Sequence, residues 1–326
     1  MLSEGPNEPG AVFDDVSFGT VGWTTPGNAD KSDDAYAQAV PGGGFTHYLH
    51  ADNYNFSIPA PAKILGIEVN IERHSLSGTI KDAQLHLVKG GVVGITDRAD
   101  TVATWPTTDT VKTYGSPSDL WGDTWTAANI NASNFGVVLS VTDSADAALV
   151  DQITITVHFT LCGDAPAAGC RTSLKSIFIV KDKSDDTKDK IIWKWIKGAA
   201  TSQADFANPT ATATYGFCIY ENGALMGTAA VPPNATKWTS ISTKGYKYKD
   251  KSGTSFGIQK IILKGNTSGS KSKALVKGKG AALPDPHPAL TLPVVVQLIN
   301  GDNGICFETT FNSFIKNETG LFKAKN

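Results

Sequence analysis

The sequence predicts an all-β protein made of two consecutive antiparallel β-sandwich domains, of the jelly-roll or immunoglobulin-like type. Its 326 residues are enough for two domains that each bury a core. The 32 Gly and 16 Pro, together with 2 Met and only 18% charged residues, favour short strands joined by turns over helical bundles. Apolar residues also alternate with polar ones in short segments that end at turn residues, as in half-buried strands.

The first predicted sandwich covers residues 18–160 and follows an N-terminal arm, residues 1–17. Its clearest strand is KILGIEVNIERH (63–74), in which every second residue is apolar, so that one face is buried. The same alternation predicts further strands at residues 82–91, 134–143 and 150–161.

A segment rich in Gly, Pro and Ala, residues 161–172, is predicted to link the first sandwich to a second one, residues 173–326. Asn222-Gly223 suits the positive φ angles of a type I′ turn and predicts a β-hairpin. The strands of the second sandwich are predicted in LKSIFIVKD, KIIWKWIKG, YGFCIYENGALMG, GIQKIILKG, LPVVVQLING and GICFETTFNSF.

Four cysteines are present, and none of them belongs to a CxxC pair, so a thiolate metal cluster is not expected. The simplest pairing joins Cys162 to Cys170 across a short loop and Cys218 to Cys306 within the second domain. Four buried free thiols are the alternative. Disulfides would place the working protein outside the cytosol.

The charge is divided unevenly along the chain. Residues 1–170 contain 7 Lys and Arg against 20 Asp and Glu, a balance of −13, whereas residues 171–326 contain 22 against 11, a balance of +11. The basic half could indicate nucleic acid, but its lysines stand among Ser, Gly and Thr, and Arg171 is its only arginine. Because phosphate and base recognition rely on arginine, no nucleic-acid partner is expected.

Several segments of the first domain, among them GTVGWTTPGNADKSDDAYAQA, NYNFSIPAPAKILGIEVNIER and VDQITITVHFT, resemble a β-sandwich module of phage proteins and secreted bacterial proteins over residues 18–160. Segments of the second half, among them KSIFIVKDKS, KGYKYKDKSG and VVVQLING, resemble a C-terminal domain of secreted proteins from myxobacterium-like bacteria. Neither family has an assigned activity. The resemblance therefore implies a surface or particle location and no catalytic residue.

A structural calcium is the one cofactor that the sequence suggests. Asp30, Asp33 and Asp34 supply carboxylate oxygens of the kind that calcium prefers, although the same residues are common in turns and no EF-hand pattern accompanies them. The histidines of the first domain lie at polar positions of strands and are expected on solvated faces.

No motif predicts catalysis. A GxSxG elbow is missing, and the glycine-rich segments lack the ending and the following helix of a phosphate-binding loop. We therefore expect a protein that is not an enzyme. A phage-borne depolymerase fragment remains a third hypothesis, because the paired carboxylates of a glycosidase come from distant strands.

The stretch DLWGDTWTAANINAS suggests a binding surface. Trp121 and Trp125 would share a face of an extended chain and, with Tyr114, could hold a sugar. Tryptophan is usually mostly buried, so the competing interpretation is that both rings cap the end of the sandwich.

The charge division favours a structural subunit that self-associates head to tail into an extracellular filament or a virion surface structure, without any membrane span. Copies of the chain would be its partners, and calcium aside no cofactor is expected. The N-terminal arm could add a strand to a neighbouring subunit through four apolar residues, Val12, Phe13, Val16 and Phe18. The alternative is an adhesive or glycan-binding module on a cell or particle surface.

Overall fold

The computed structural model describes residues 2–142, 145–284 and 286–326. They divide into two compact units: unit 1 is Met1–Ile58 with Lys63–Phe159, and unit 2 is Pro59–Ala62 with Thr160–Asn326. Each unit consists of two antiparallel sheets, which confirms the predicted all-β sandwich fold. The helical segments of the described residues are one short helix, α1 (Ala127–Ile130), and four 3-10 turns at Pro26–Ala29, Asp186–Lys188, Ala204–Phe206 and Ser242–Lys244.

Unit 1 has the strand order of a jelly roll. One sheet runs β1-β10-β5-β8 with β3 paired to β10, and the other runs β2-β4-β9-β6-β7. When β2 and β3 are left out, consecutive strands of the remaining eight lie in opposite sheets, except for β6 and β7, which pair as a hairpin within one sheet. The strands are β1 Leu2–Asn7, β2 Ala11–Asp15, β3 Ala37–Ala39, β4 Tyr48–Asp52, β5 Lys63–Ser75, β6 Lys81–Lys89, β7 Val92–Val93, β8 Thr110–Ser116, β9 Gly136–Thr142 and β10 Ala148–Thr160.

The core of unit 1 follows from the predicted alternation. Ile67, Val69 and Ile71 of β5 are fully buried, whereas the residues between them are half-buried on the other face. The predicted strand 134–143 is observed as β9, and its expected last residue, Asp143, lies outside the described residues.

Residues 1–17 are not a free arm. Strand β1 pairs with β10 and β2 pairs with β4, so the segment supplies edge strands to both sheets of its own unit. Of the four apolar residues expected to dock on a neighbour, Val12 is half-buried, Phe13 stacks on the His50 ring with centroids 4.5 Å apart, Phe18 stacks on Tyr48 at 5.0 Å, and Val16 is exposed. Donation to another subunit would require these pairings to break.

Unit 2 packs an eight-stranded sheet against a four-stranded one. The large sheet runs β15-β16-β17-β18-β12-β11-β22-β21 and the small sheet runs β14-β13-β19-β20. The Asn222-Gly223 hairpin is observed between β13 and β14. The strands are β11 Ser173–Lys181, β12 Lys190–Gly198, β13 Tyr215–Glu221, β14 Ala224–Val231, β15 Trp238–Ser240, β16 Gly245–Lys249, β17 Ile258–Lys264, β18 Ser272–Lys279, β19 Val294–Asn300, β20 Cys306–Phe311, β21 Lys316–Glu318 and β22 Leu321–Lys325.

All four cysteines form disulfides, but the predicted connectivity is wrong. The bonds are Cys162–Cys218 and Cys170–Cys306. The expected link between Cys162 and Cys170 is not made, because these residues lie at opposite ends of a segment that crosses the outer face of the small sheet. Cys218 is in β13 and Cys306 is in β20, with β19 between them.

Segment 162–170 is therefore part of unit 2 and not a free linker. At its middle, the Gln297 amide of β19 accepts a hydrogen bond from the Ala167 backbone N–H (3.0 Å) and donates one to the Ala167 carbonyl (2.8 Å). Gln297 is fully buried, and the segment covers the apolar side chains Tyr220, Val295 and Ile299 on the same face. The two disulfides and the hydrogen bonds of the Gln297 amide thus hold this segment against the outer face of the small sheet.

Peptide mapping of the unreduced protein tests this connectivity. We expect cross-linked peptides that join Cys162 to Cys218 and Cys170 to Cys306, and a peptide that joins Cys162 to Cys170 would contradict the structure. We also expect reduction to lower the free energy of unfolding of unit 2 by about 2–5 kcal/mol for each bond, since the unfolded chain gains freedom. Denaturant unfolding with and without reductant measures this loss.

Candidate functional site

One face of the eight-stranded sheet of unit 2 is lined by lysines. Residues that pair directly across neighbouring strands point to the same face of a sheet. The strand registers therefore place fourteen lysines together, and we call this surface the lysine face. Its lysines are Lys175, Lys181, Lys190, Lys194, Lys247, Lys249, Lys260, Lys264, Lys273, Lys277, Lys279, Lys316, Lys323 and Lys325.

Almost none of this charge is neutralised nearby. Among the described residues of the face, Glu318 is the acidic one, and it pairs with Lys316 at 2.8 Å. The other thirteen lysines form no ion pair with a described residue. Their side chains are exposed or half-buried, and between them lie the half-buried aliphatic residues Ile177, Ile179, Ile192, Ile196, Ile262 and Leu275.

The lysines face outward because the residues between them face inward. In β12, Trp193 and Trp195 are fully buried in the core, so Lys194 between them lies on the opposite face. In β22, Phe322 and Ala324 are fully buried, so Lys323 and Lys325 likewise lie on the opposite face. These lysines stand among Ser, Gly and Thr in the sequence, and we did not predict that they share one face. Their period of two in segments such as KYK, KSKALVKGK and FKAK was the signal that could have revealed the face.

A cavity of about 330 Å³ lies in unit 1 beside the predicted tryptophans. Trp121 and Trp125 line it together with the β6–β7 hairpin, and Lys89, Thr96 and Asp123 supply polar groups. At its rim, Val92 and Ile95 are 69% and 96% exposed. The structure thus brings two of the three proposed sugar-binding aromatic residues to one cavity.

The indole rings of this cavity are nonetheless mostly buried. Trp121 and Trp125 are 3% and 9% exposed, and their N–H groups donate to the carbonyls of Ile67 (3.0 Å) and Leu120 (2.9 Å). Lys89 lies over the Trp125 ring, 5.4 Å from its centroid, and pairs with Asp123 at 3.1 Å. The rings therefore offer edges and no open platform, which agrees with the scaffold interpretation of this stretch.

Tyr114 lies elsewhere, in a buried polar network of unit 1. Its hydroxyl donates to Asp82 (2.7 Å), which also accepts from the Trp105 indole (2.8 Å) and pairs with Arg73. The Arg73 guanidinium lies 4.4 Å from the Trp105 ring centroid. Asp82 is fully buried, and burial raises the pKa of Tyr114 well above its usual range. Tyr114 is therefore a structural residue and is not available to a sugar.

The three aspartates proposed for calcium lie in one loop but do not converge on a point. Asp30 and Asp33 both pair with Lys31, at 3.8 and 3.3 Å, and the backbone N–H groups of Asp33 and Asp34 point at the buried Asp151. Within residues 2–142, 145–284 and 286–326, no group of three or more His, Cys, Asp or Glu side chains is arranged to hold a metal ion.

The histidines of unit 1 are not on solvated faces as expected, since each is buried or half-buried and lies against a carboxylate. His50 is 7% exposed, and its Nδ1 lies 3.1 Å from a carboxylate oxygen of Asp15. Burial alone would raise the pKa of Asp15, but hydrogen bonds with Ser17 and His50 outweigh it and lower the pKa. The other pairs are His47–Asp14, His74–Asp109, His86–Asp97 and His158–Glu68.

No helix among the described residues has the length and apolar character needed to cross a membrane.

Comparison with known proteins does not assign the chain to a family. No protein-family model and no curated protein matches the sequence. A crystal structure of a β-1,2-glucanase from Parabacteroides distasonis is similar at 11% identity and a TM-score of 0.28, over 86% of this chain and 39% of that one. The GlcNAcα1-4Gal-releasing endo-β-galactosidase of Clostridium perfringens is similar at 11% identity and a TM-score of 0.18, over 100% and 96%. The chain thus spans about two fifths of the glucanase, and these likenesses are too slight to bear on activity.

The buried network of unit 1 predicts a large effect of one substitution. We expect Asp82→Asn to reduce the free energy of unfolding by roughly 3–5 kcal/mol, because it leaves the Arg73 charge buried without its partner. Asp123→Asn, at an exposed ion pair, serves as the matched control and should cost no more than about 1 kcal/mol. Urea unfolding followed by tryptophan fluorescence compares the two, and equal losses would refute the structural role of Asp82.

Proposed function

We propose that the protein is a non-enzymatic, extracellular binding protein whose lysine face attaches it to an anionic polymer on a cell or particle surface. The observation that carries this proposal is the set of thirteen unpaired lysines on one sheet face. Concentrated like charge raises the local concentration of oppositely charged ligands and accelerates their association. The two disulfides are typical of proteins that work outside a reducing cytosol.

Nucleic acid is a weaker candidate for this polymer. The aromatic residues of the large sheet, among them Trp193, Trp195 and Tyr248, point into the core, and no aromatic residue is found among the outward-facing described residues of the lysine face. Single-stranded nucleic acid is generally bound on such aromatic platforms. The face also lacks the arginines that read base edges.

Binding to dextran sulfate, with neutral dextran as the control polymer, tests the proposal. We expect dextran sulfate alone to bind, with an affinity that falls as salt screens the lysines. The triple substitution Lys190→Gln, Lys273→Gln and Lys323→Gln should weaken binding about tenfold, since each exposed charge contributes a fraction of a kcal/mol.

The matched control replaces three exposed lysines of unit 2 that lie in loops outside the strands of the face: Lys183→Gln, Lys251→Gln and Lys271→Gln. This variant carries the same net charge and should bind like the unmodified protein. Binding that fails for the unmodified protein, or that falls equally in both variants, would refute a role of the lysine face.

Head-to-tail self-association into a filament or virion surface structure is the second candidate. It is supported by the opposite charge balances of −13 in residues 1–170 and +11 in residues 171–326, which allow the acidic half of one copy to act as the anion for the next. Analytical ultracentrifugation should then show oligomers at low salt that dissociate at high salt and in dextran sulfate. Monomers under all conditions would exclude this candidate.

A further inference from the structure

The lysines of the face are arranged in rows that run across the strands. Lys181, Lys190 and Lys279 are direct cross-strand neighbours on three adjacent strands. A second row of three consists of Lys249, Lys260 and Lys277. Neighbouring strands are about 4.8 Å apart, so the rows present positive charges at that repeat.

These rows of like charge destabilise the sheet. Like charges directly opposite one another on neighbouring strands are destabilising, and the lysines of both rows have no acidic partner within ion-pair distance among the described residues. If these charges served only to keep the protein soluble, lysines could alternate with acidic residues on the same face. The arrangement therefore points to an external anion that lies along the rows.

The surface between the charges restricts the chemistry of this anion. The second row continues from Lys277 in β18 to Ile192 in β12 and Ile179 in β11. Two residues along the strands from this row, Leu275 of β18 pairs with Ile262 of β17. These aliphatic side chains are half-buried between lysine stems. The ligand must therefore combine regularly spaced anionic groups with apolar C–H surface, which an inorganic polyphosphate lacks.

A linear chain of uronic acids satisfies both conditions. It carries one carboxylate on each sugar ring at regular intervals, and its pyranose rings expose C–H faces that can lie against the aliphatic side chains and lysine stems.

We propose that the lysine face binds a polyuronic acid laid across the strands, so that carboxylates on the side of the chain that faces the protein meet the lysines of one row. This inference rests on the polymer-binding function proposed above and specifies its ligand.

The experiment compares two variants that lose the same number of charges. The row variant carries Lys249→Gln, Lys260→Gln and Lys277→Gln. The isolated variant carries Lys175→Gln, Lys194→Gln and Lys325→Gln, at positions that lie opposite isoleucine or leucine and never opposite another lysine. The probes are polygalacturonate, its methyl ester, in which the carboxylates are capped, and dextran sulfate as a flexible anion without this repeat.

We expect the unmodified protein to bind polygalacturonate and not the methyl ester. The row variant should bind polygalacturonate about tenfold more weakly than the isolated variant, whereas both should lose dextran sulfate binding to the same degree. Thermal unfolding without ligand provides a second measurement that does not depend on binding. The row variant should have a Tm at least as high as that of the isolated variant, because its substitutions relieve direct lysine–lysine repulsion.

The failures of the two proposals are distinguishable. Binding of dextran sulfate without binding of polygalacturonate would overturn the polyuronate inference and leave the polymer-binding function standing. Equal loss of polygalacturonate binding in both variants would overturn the role of the rows. Absence of binding to both anionic polymers would overturn the proposed function itself.

Discussion

The large sheet of unit 2 has one face that must be buried, and this requirement fixes the orientation of the fourteen lysines on the opposite face. Trp193 and Trp195 fill the core from β12, and Phe178, Ile261 and Val276 do so from the strands around it. Because side chains alternate strictly along a strand, burying these residues sends the intervening lysines to the other side. A shift of one residue in β12 would bury its lysines and expose Trp193 and Trp195, so the register of this strand is strongly specified.

The two units stabilise their sandwiches differently. In unit 1 the buried Arg73–Asp82 pair joins the two sheets from the inside, with Trp105 and Tyr114 completing the hydrogen bonds of the carboxylate. In unit 2 the corresponding reinforcement lies on the outside, where segment 162–170 crosses the small sheet between two disulfides. Covalent closure of this kind offsets destabilisation elsewhere, and the large sheet of the same unit carries unneutralised charge.

A sheet face that carries many exposed charges suits a ligand that is long and repetitive better than one that is small and specific. Individual contacts of exposed lysines with an anion would each be weak, so affinity would come from many contacts along one polymer. This mode of binding also explains why lysine is sufficient there. The cavity beside Trp121 and Trp125 is of the opposite kind, small and apolar, and its rings are held in place by their own N–H hydrogen bonds.

Local patterns in the sequence determined the fold class. The alternation in segments such as 63–74 and the Asn222-Gly223 turn depend on neighbours in the chain, and both are observed. The connectivity of Cys162 and the burial of Tyr114 in a polar network outside the cavity both depend on which strands become neighbours. The predicted pairing of Cys162 with Cys170 was wrong. The lysine face also depends on which strands become neighbours. Within a strand, the lysines of the face are separated by an even number of residues, as the sequence shows. Only the order of the strands and their registers place Lys249, Lys260 and Lys277 in one row, because pairing between distant segments is set by burial of the whole sheet and not by any one strand.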